Sequence, residues 1–110
     1  MRAYIKHKVA AAHFLPKYGG PCKNLHGHTW LIEVWLEGTM TKRTGMLVDF
    51  KDVKDIINTF DHTTLNDQLP EGWPPTAENF ARALYALIPF CVKVRVWESD
   101  DAYAEWYEGA

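Results

Sequence analysis

The stretch "HGHTWLIEVWLE", residues 26–37, decides how the rest of the chain must be read. Side chains of a strand alternate between faces, so His26, His28, Trp30, Ile32, Val34 and Leu36 share one face. Thr29, Leu31, Glu33, Trp35 and Glu37 share the other. The first row is apolar from Trp30 onward and predicts a strand with one face in a core. The second row also carries large apolar groups, Leu31 and Trp35, so this strand needs cover on both sides.

Working outward, "AYIKHKVAAAHF" alternates in the same way. Ile5, His7, Val9, Ala11 and His13 face one side, and Tyr4, Lys6, Lys8, Ala10 and Ala12 the other. Downstream, the turn-rich "EGTMTKRTG" leads to "GMLVDF", which reads as a short strand. The period then changes. Val53, Ile56, Ile57 and Phe60 follow i, i+3, i+4, i+7, predicting a helix that ends near Asp61. After the "WPPT" stop, Thr76 is placed to cap a second helix, with Glu78 in its positive first turn. The stripe of that helix is Phe80, Leu84, Leu87 and Ile88, and Pro89 closes it. "VKVRVWE" alternates again, with Val92, Val94, Val96 and Glu98 on one face, and "AYAEWYE" supplies a last strand. The order β-β-α-α-β-β predicts an α+β fold, an antiparallel sheet carrying two helices on one face. The other face and the strand edges then call for a partner, and closing sheets into a barrel removes the edges.

The chain has 110 residues, which fits one domain over 1–110, large enough to bury a core without staples. Hydrophobic residues make up 47% and charged residues 24%, the balance of a globular protein. A net charge of -2 gives no electrostatic drive toward nucleic acid or an anionic membrane. No apolar run approaches the roughly 20 residues a spanning helix needs. "MRAYIKHKVA" lacks the apolar core of a signal peptide, so a cytoplasmic location is expected. In a reducing compartment Cys22 and Cys91 stay unpaired, leaving Cys22 open to chemistry or metal and Cys91 as a small core residue.

On three strands the apolar row ends in ionisable residues: His13, the pair His26 and His28, and Glu98. A polar group at the end of a buried row costs free energy unless it finds a partner. A single one is ordinarily a satisfied core histidine; three strands bringing them to one rim point to a site. His26 and His28 project the same way with Cα atoms about 6–7 Å apart, which lets two imidazoles converge on one ion. His13 is the natural third donor, and neutral imidazoles suit zinc, with copper, nickel and iron as alternatives. Cys22 admits three readings: a fourth ligand closing a structural site, a thiol beside the metal acting as base or nucleophile, or an inert loop cysteine. Asp61 and His62 follow a helix end, where such a pair is more often structural. Neighbours on a helix do not face each other, so no direct contact between them is required. His7 reads as an edge or core residue.

"AAHFLP", "CKNLHGH", "MLVDF", "DHTTLN", "PTAENFA" and "WES" with Tyr103 occur in the order found in the 6-pyruvoyl-tetrahydropterin synthase family, and the chain resembles that family from about residue 4 to 103. The spacing of Cys22 to "HGH" is similar to that of the bacterial 6-carboxy-tetrahydropterin synthases of queuosine biosynthesis. The resemblance implies a zinc ion held by His13, His26 and His28. It implies Cys22 as catalytic thiol with Asp61 and His62 completing the proton-transfer set. It also implies Glu98 as the pterin anchor, with Thr76 and the backbone around Ala77 helping to hold the ring. Relatives often carry a hydroxyl where Ala77 stands. The implied fold is the tunnelling fold, whose subunits join through their sheets into a barrel, with trimers stacked into hexamers and active sites between subunits. The implied substrate is 7,8-dihydroneopterin triphosphate; Lys17 and Lys23 are phosphate candidates by proximity only. Two alternatives stand beside this reading: a pyruvoyl or related pterin synthase, and a non-catalytic zinc- or pterin-binding module in which Cys22 closes the metal site.

Overall fold

A computed structural model describes all residues 1–110. Strands β1 (Arg2–His13) and β2 (His26–Glu37) pair antiparallel along their whole length, from Arg2 opposite Glu37 to His13 opposite His26. Helix α1 (Phe50–Asn58) follows, then a two-residue strand β3 (Thr63–Thr64) and the short helix α2 (Leu65–Gln68). Helix α3 (Ala77–Leu87) leads into β4 (Cys91–Ser99) and β5 (Ala102–Tyr107). The sheet order is β3-β1-β2-β4-β5, antiparallel except where β3 joins β1 in parallel. The fold is α+β, and the expected all-antiparallel sheet is corrected by that parallel strand.

The β2 alternation decides the core as anticipated. Trp30, Ile32, Val34 and Leu36 are fully buried, packed with Ile5, Val9, Val94 and Val96 of the sheet and Val53, Ile57, Phe80 and Leu84 of the helices. Burying each large side chain contributes roughly 1.5–3 kcal/mol. Trp30 and Phe80 meet edge to face at 5.4 Å, and Phe60 reaches Phe80 at 5.1 Å. The Trp30 indole donates to the Ala11 carbonyl, so its one polar atom is satisfied inside the core.

Three local expectations give way. "GMLVDF" forms no strand: Leu47 alone in it is buried, and Asp49 instead caps α1 by accepting from the Lys51 amide at 2.9 Å. Helix α1 stops at Asn58 and continues to Asp61 only as turns, because the backbone then leaves to pair with β1. In α3, Leu87 is 54% exposed; Ala77, Ala81 and Ala83 lie inside, since small residues let the helix sit close on β4 and β5. The Thr76 cap forms as read, accepting from the Asn79 amide at 3.2 Å.

The helix-free face carries a polar and aromatic lattice. Glu33 accepts from the Tyr4 hydroxyl and, at 2.6 Å, from the Trp97 indole, while Arg95 donates to Glu105 at 2.6 Å. Lys93 lies 4.1 Å above the Trp35 ring and Arg95 4.4 Å above Tyr103. These partners satisfy the heads of charged side chains whose stems cover the apolar groups of this face.

Candidate active site

Antiparallel pairing of β1 with β2 sets His13 directly opposite His26, and alternation brings His28 beside them. Their ligand atoms all lie within 4.8 Å of one another. The tautomers of two rings follow from their partners. His13 Nδ1 donates to the Pro75 carbonyl at 2.7 Å, and His26 Nδ1 donates to the Asn24 carbonyl at 2.7 Å. Each donation leaves an Nε2 lone pair directed into the cluster. His28 Nε2 is hydrogen-bonded to His13 Nε2 at 3.1 Å, and a shared cation would take these two nitrogens as ligands in place of that bond. Burial lowers the His28 pKa; Glu98 pulls it up, and His13 and His26 push it down again. Neutral imidazoles with backbone carbonyls behind them fit a borderline-soft divalent metal.

Glu98 comes from β4 and reaches within 3.9 Å of His28 Nε2. It lines a cavity of about 320 Å³ with Ala77, Glu78, Ala102, Tyr103 and Ala104. The 75–77 segment thus touches two parts of the site, the Pro75 carbonyl on His13 and Ala77 on the Glu98 cavity. The Thr76 hydroxyl is engaged as the α3 cap.

Asp61 and His62 touch directly, His62 Nδ1 donating to Asp61 Oδ2 at 2.8 Å. Contact was not required by helix geometry, and it arises because His62 has left the helix, with a left-handed φ of 58°. Asp61 Oδ1 also accepts the Ala10 amide at 2.8 Å, and the His62 amide donates to the Ala10 carbonyl at 2.6 Å. The Ala10 bond, helped by His62 and against some desolvation, holds the Asp61 carboxyl below its ordinary range. His62 lines a groove of about 570 Å³ that also reaches His28.

Cys22 lies in a 3-10 turn, Pro21–Lys23, and is half-buried. It stands outside the three-histidine cluster, although Asn24, two residues on, orients His26. The structure therefore gathers His13, His26, His28, Glu98 and Ala77, sets His62, bonded to Asp61, on an adjoining groove, and leaves Cys22 on its own turn. Sequence reasoning missed Asn24 and Pro75, whose contribution is a carbonyl that every residue type has. Cys91 is half-buried, and burial pushes its thiol up to about 11. His7 binds Asn58 Oδ1 through Nε2 at 2.7 Å, an edge residue with a partner.

The sequence profile described as 6-pyruvoyl tetrahydropterin synthase matches residues 2–109. The chain belongs to that family. A protein of Archaeoglobus fulgidus is 36% identical, covering 92% of this chain and 90% of its own length. The 6-carboxy-5,6,7,8-tetrahydropterin synthase of Bacillus subtilis is 32% identical over 86% of this chain and 77% of its own. Among solved structures, Caenorhabditis elegans 6-pyruvoyl tetrahydropterin synthase superposes with a TM-score of 0.78 at 22% identity, covering 99% of this chain and 96% of that one. This family member therefore has the tunnelling fold that its motifs implied. No helix in it is long and apolar enough to cross a membrane.

Proposed function

We propose that this chain is a cytoplasmic 6-carboxy-5,6,7,8-tetrahydropterin synthase. In this reading it converts 7,8-dihydroneopterin triphosphate to 6-carboxytetrahydropterin, with release of acetaldehyde and triphosphate, in queuosine biosynthesis. Residues 1–110 act as one catalytic domain. The observation that carries the reading is the set of three imidazoles converging beside the Glu98 carboxylate. The similarity to synthases of that name supports the product.

His13, His26 and His28 would hold one zinc ion. Bound there, zinc would polarise the side-chain oxygens of the substrate and acidify the adjoining C–H bonds. Glu98 would accept two parallel N–H bonds from the guanidine-like edge of the pterin, which fixes orientation and rejects rings lacking that edge. Thr76 and Ala77 would hold the ring through their backbone, since the Thr76 hydroxyl already serves α3 and Ala77 has no polar side chain. Cys22, as thiolate, would take a carbon-bound proton. His62 would deliver or accept the other at Nε2, because its Nδ1 is occupied by Asp61. The anionic Asp61 stabilises the protonated ring while that proton is in transit.

Cys22 and the Asp61–His62 pair would meet across an interface. Sheets of several copies would close into a barrel, trimers would stack into a hexamer, and the site would lie between subunits. The helix-free face, on which Leu31 and Trp35 of β2 are only partly buried, supports that association. A binding module with a four-ligand site is disfavoured, since Cys22 is not among the clustered ligands.

The test is anaerobic incubation of the zinc-loaded protein with dihydroneopterin triphosphate, followed by mass analysis of the pterin and an acetaldehyde assay. Carboxytetrahydropterin with acetaldehyde supports the reading. A pyruvoyl product without acetaldehyde moves the chain to the pyruvoyl branch, and untouched substrate at full zinc occupancy sinks the assignment of this substrate.

A further inference from the structure

We propose that Asn66 is a positioning residue that fixes metal ligand His13 relative to the Asp61–His62 pair; the inference rests on the metal reading of the histidine cluster. Residues 61–66 run beside residues 10–14 as a mixed ladder. Asp61 and His62 take the amide and carbonyl of Ala10, and Thr63 and Thr64 pair with Ala11 and Ala12. Backbone pairing ends there, one residue short of His13. Asn66 continues it with its side chain: Oδ1 accepts the Phe14 amide at 3.1 Å, and Nδ2 donates to the Phe14 carbonyl at 2.9 Å.

A carboxamide carries an acceptor and a donor side by side, so it can stand in for a strand neighbour on both polar atoms of one residue. His13 is therefore bracketed, with β3 on Ala12 before it and Asn66 on Phe14 after it. Asn66 is itself held by α2, whose Leu65 is fully buried. Asn66 shares a cavity wall with Pro75, whose carbonyl fixes the His13 ring, so backbone and ring of the ligand are both set from one side. The residue that carries the acid–base pair into register and the residue that places the ligand strand thus belong to one six-residue segment.

The test compares wild type, Asn66→Ala and Asn66→Asp, with Asn58→Ala as control, because Asn58 also bonds β1 but through His7, far from His13. Cobalt and zinc dissociation constants are measured by chelator competition, with the cobalt d–d spectrum and thermal unfolding alongside. Loss of the clamp is expected to weaken metal binding about tenfold, the lower end of the range for outer-shell partners, and to alter the cobalt spectrum. Asn58→Ala should lower thermal stability and leave metal affinity within about twofold, far short of that outer-shell loss. Asn66→Asp keeps the acceptor half and serves if the alanine variant does not fold. Its added negative charge alone would tighten cation binding, whereas loss of the donor bond weakens it, so the sign separates charge from position. Folded Asn66 variants with wild-type affinity, tighter binding by Asn66→Asp, or equal weakening by Asn58→Ala each overturn the proposal. Wild-type protein that takes up neither metal removes the metal reading itself, an outcome distinct from failure of Asn66 alone.

Discussion

His13 and His26 are directly opposed across the β1–β2 ladder, and their ring centroids lie 4.5 Å apart. Each ring is turned by a carbonyl from outside the strands, Pro75 for one and Asn24 for the other. The hairpin supplies the imidazoles and two loops supply their orientation.

His13→Ala removes the most enclosed of the three imidazoles, 2% exposed, and leaves the Pro75 carbonyl without its donor. Metal affinity should fall by more than the 10–100-fold typical of outer-shell changes. Metal content after dialysis against a weak chelator checks this, and retention of a full equivalent would contradict it.

Cys22→Ala should stay folded and metal-loaded while losing activity, because the thiol lies outside the ligand cluster. Alkylation should modify Cys22 with metal in place. A thiol protected until the metal is stripped would mean that sulfur is a ligand after all.

Asp61→Asn should lower kcat by about 10²–10⁴, the range for loss of a general acid–base group. It also changes stability with a defined sign. The folded carboxyl lies below its ordinary 3.8, so its stabilisation is complete above that value and fades as pH falls below it. The melting-temperature gap between wild type and variant should therefore close in acid. A gap that widened there would overturn the account.

Much of this was legible in residues 26–37 alone: the faces of β2, the side on which the core lies, and the histidine pair at its start. The Thr76 cap was legible because a hydroxyl before a helical stripe has one strong use. The failures have physical causes as particular as the successes. "GMLVDF" has the composition of a strand, but Met46 and Phe50 stay about half exposed and Asp49 spends its carboxylate on a helix cap. Strand β3 owes its existence to the exposed edge of β1, and two threonines carry no trace of that edge. The contact between Asp61 and His62 depends on a left-handed backbone at His62, which its side chain does not announce.

Glu33→Gln should destabilise the protein by about 1.5–3 kcal/mol, the scale for hydrogen bonds to a charged acceptor. Burial raises the Glu33 pKa, but bonds from Tyr4 and Trp97 and the charges of Arg95 and Lys6 outweigh it and hold the carboxyl below 4.5. Its stabilisation is therefore complete above that value and lost as pH falls through the depressed one. Burial first, then the bond to Glu33 and its charge, push the Tyr4 phenol up to about 12 against the pull of Arg95. Denaturant unfolding at pH 7 and near pH 3 checks the first point, and a late tyrosinate absorbance step that vanishes in Tyr4→Phe checks the second.

The paired hairpin of β1 and β2 also bears on how the chain finds its shape. Sliding one strand past the other by a single residue would turn His26 and His28 away from His13 and throw Trp30 into solvent. The observed alignment assembles three imidazoles and a one-residue slip does not, so an ion captured by them would add its binding energy to the observed alignment against that slip. A metal present while the chain folds would act as a proofreader of strand pairing before it ever met a substrate.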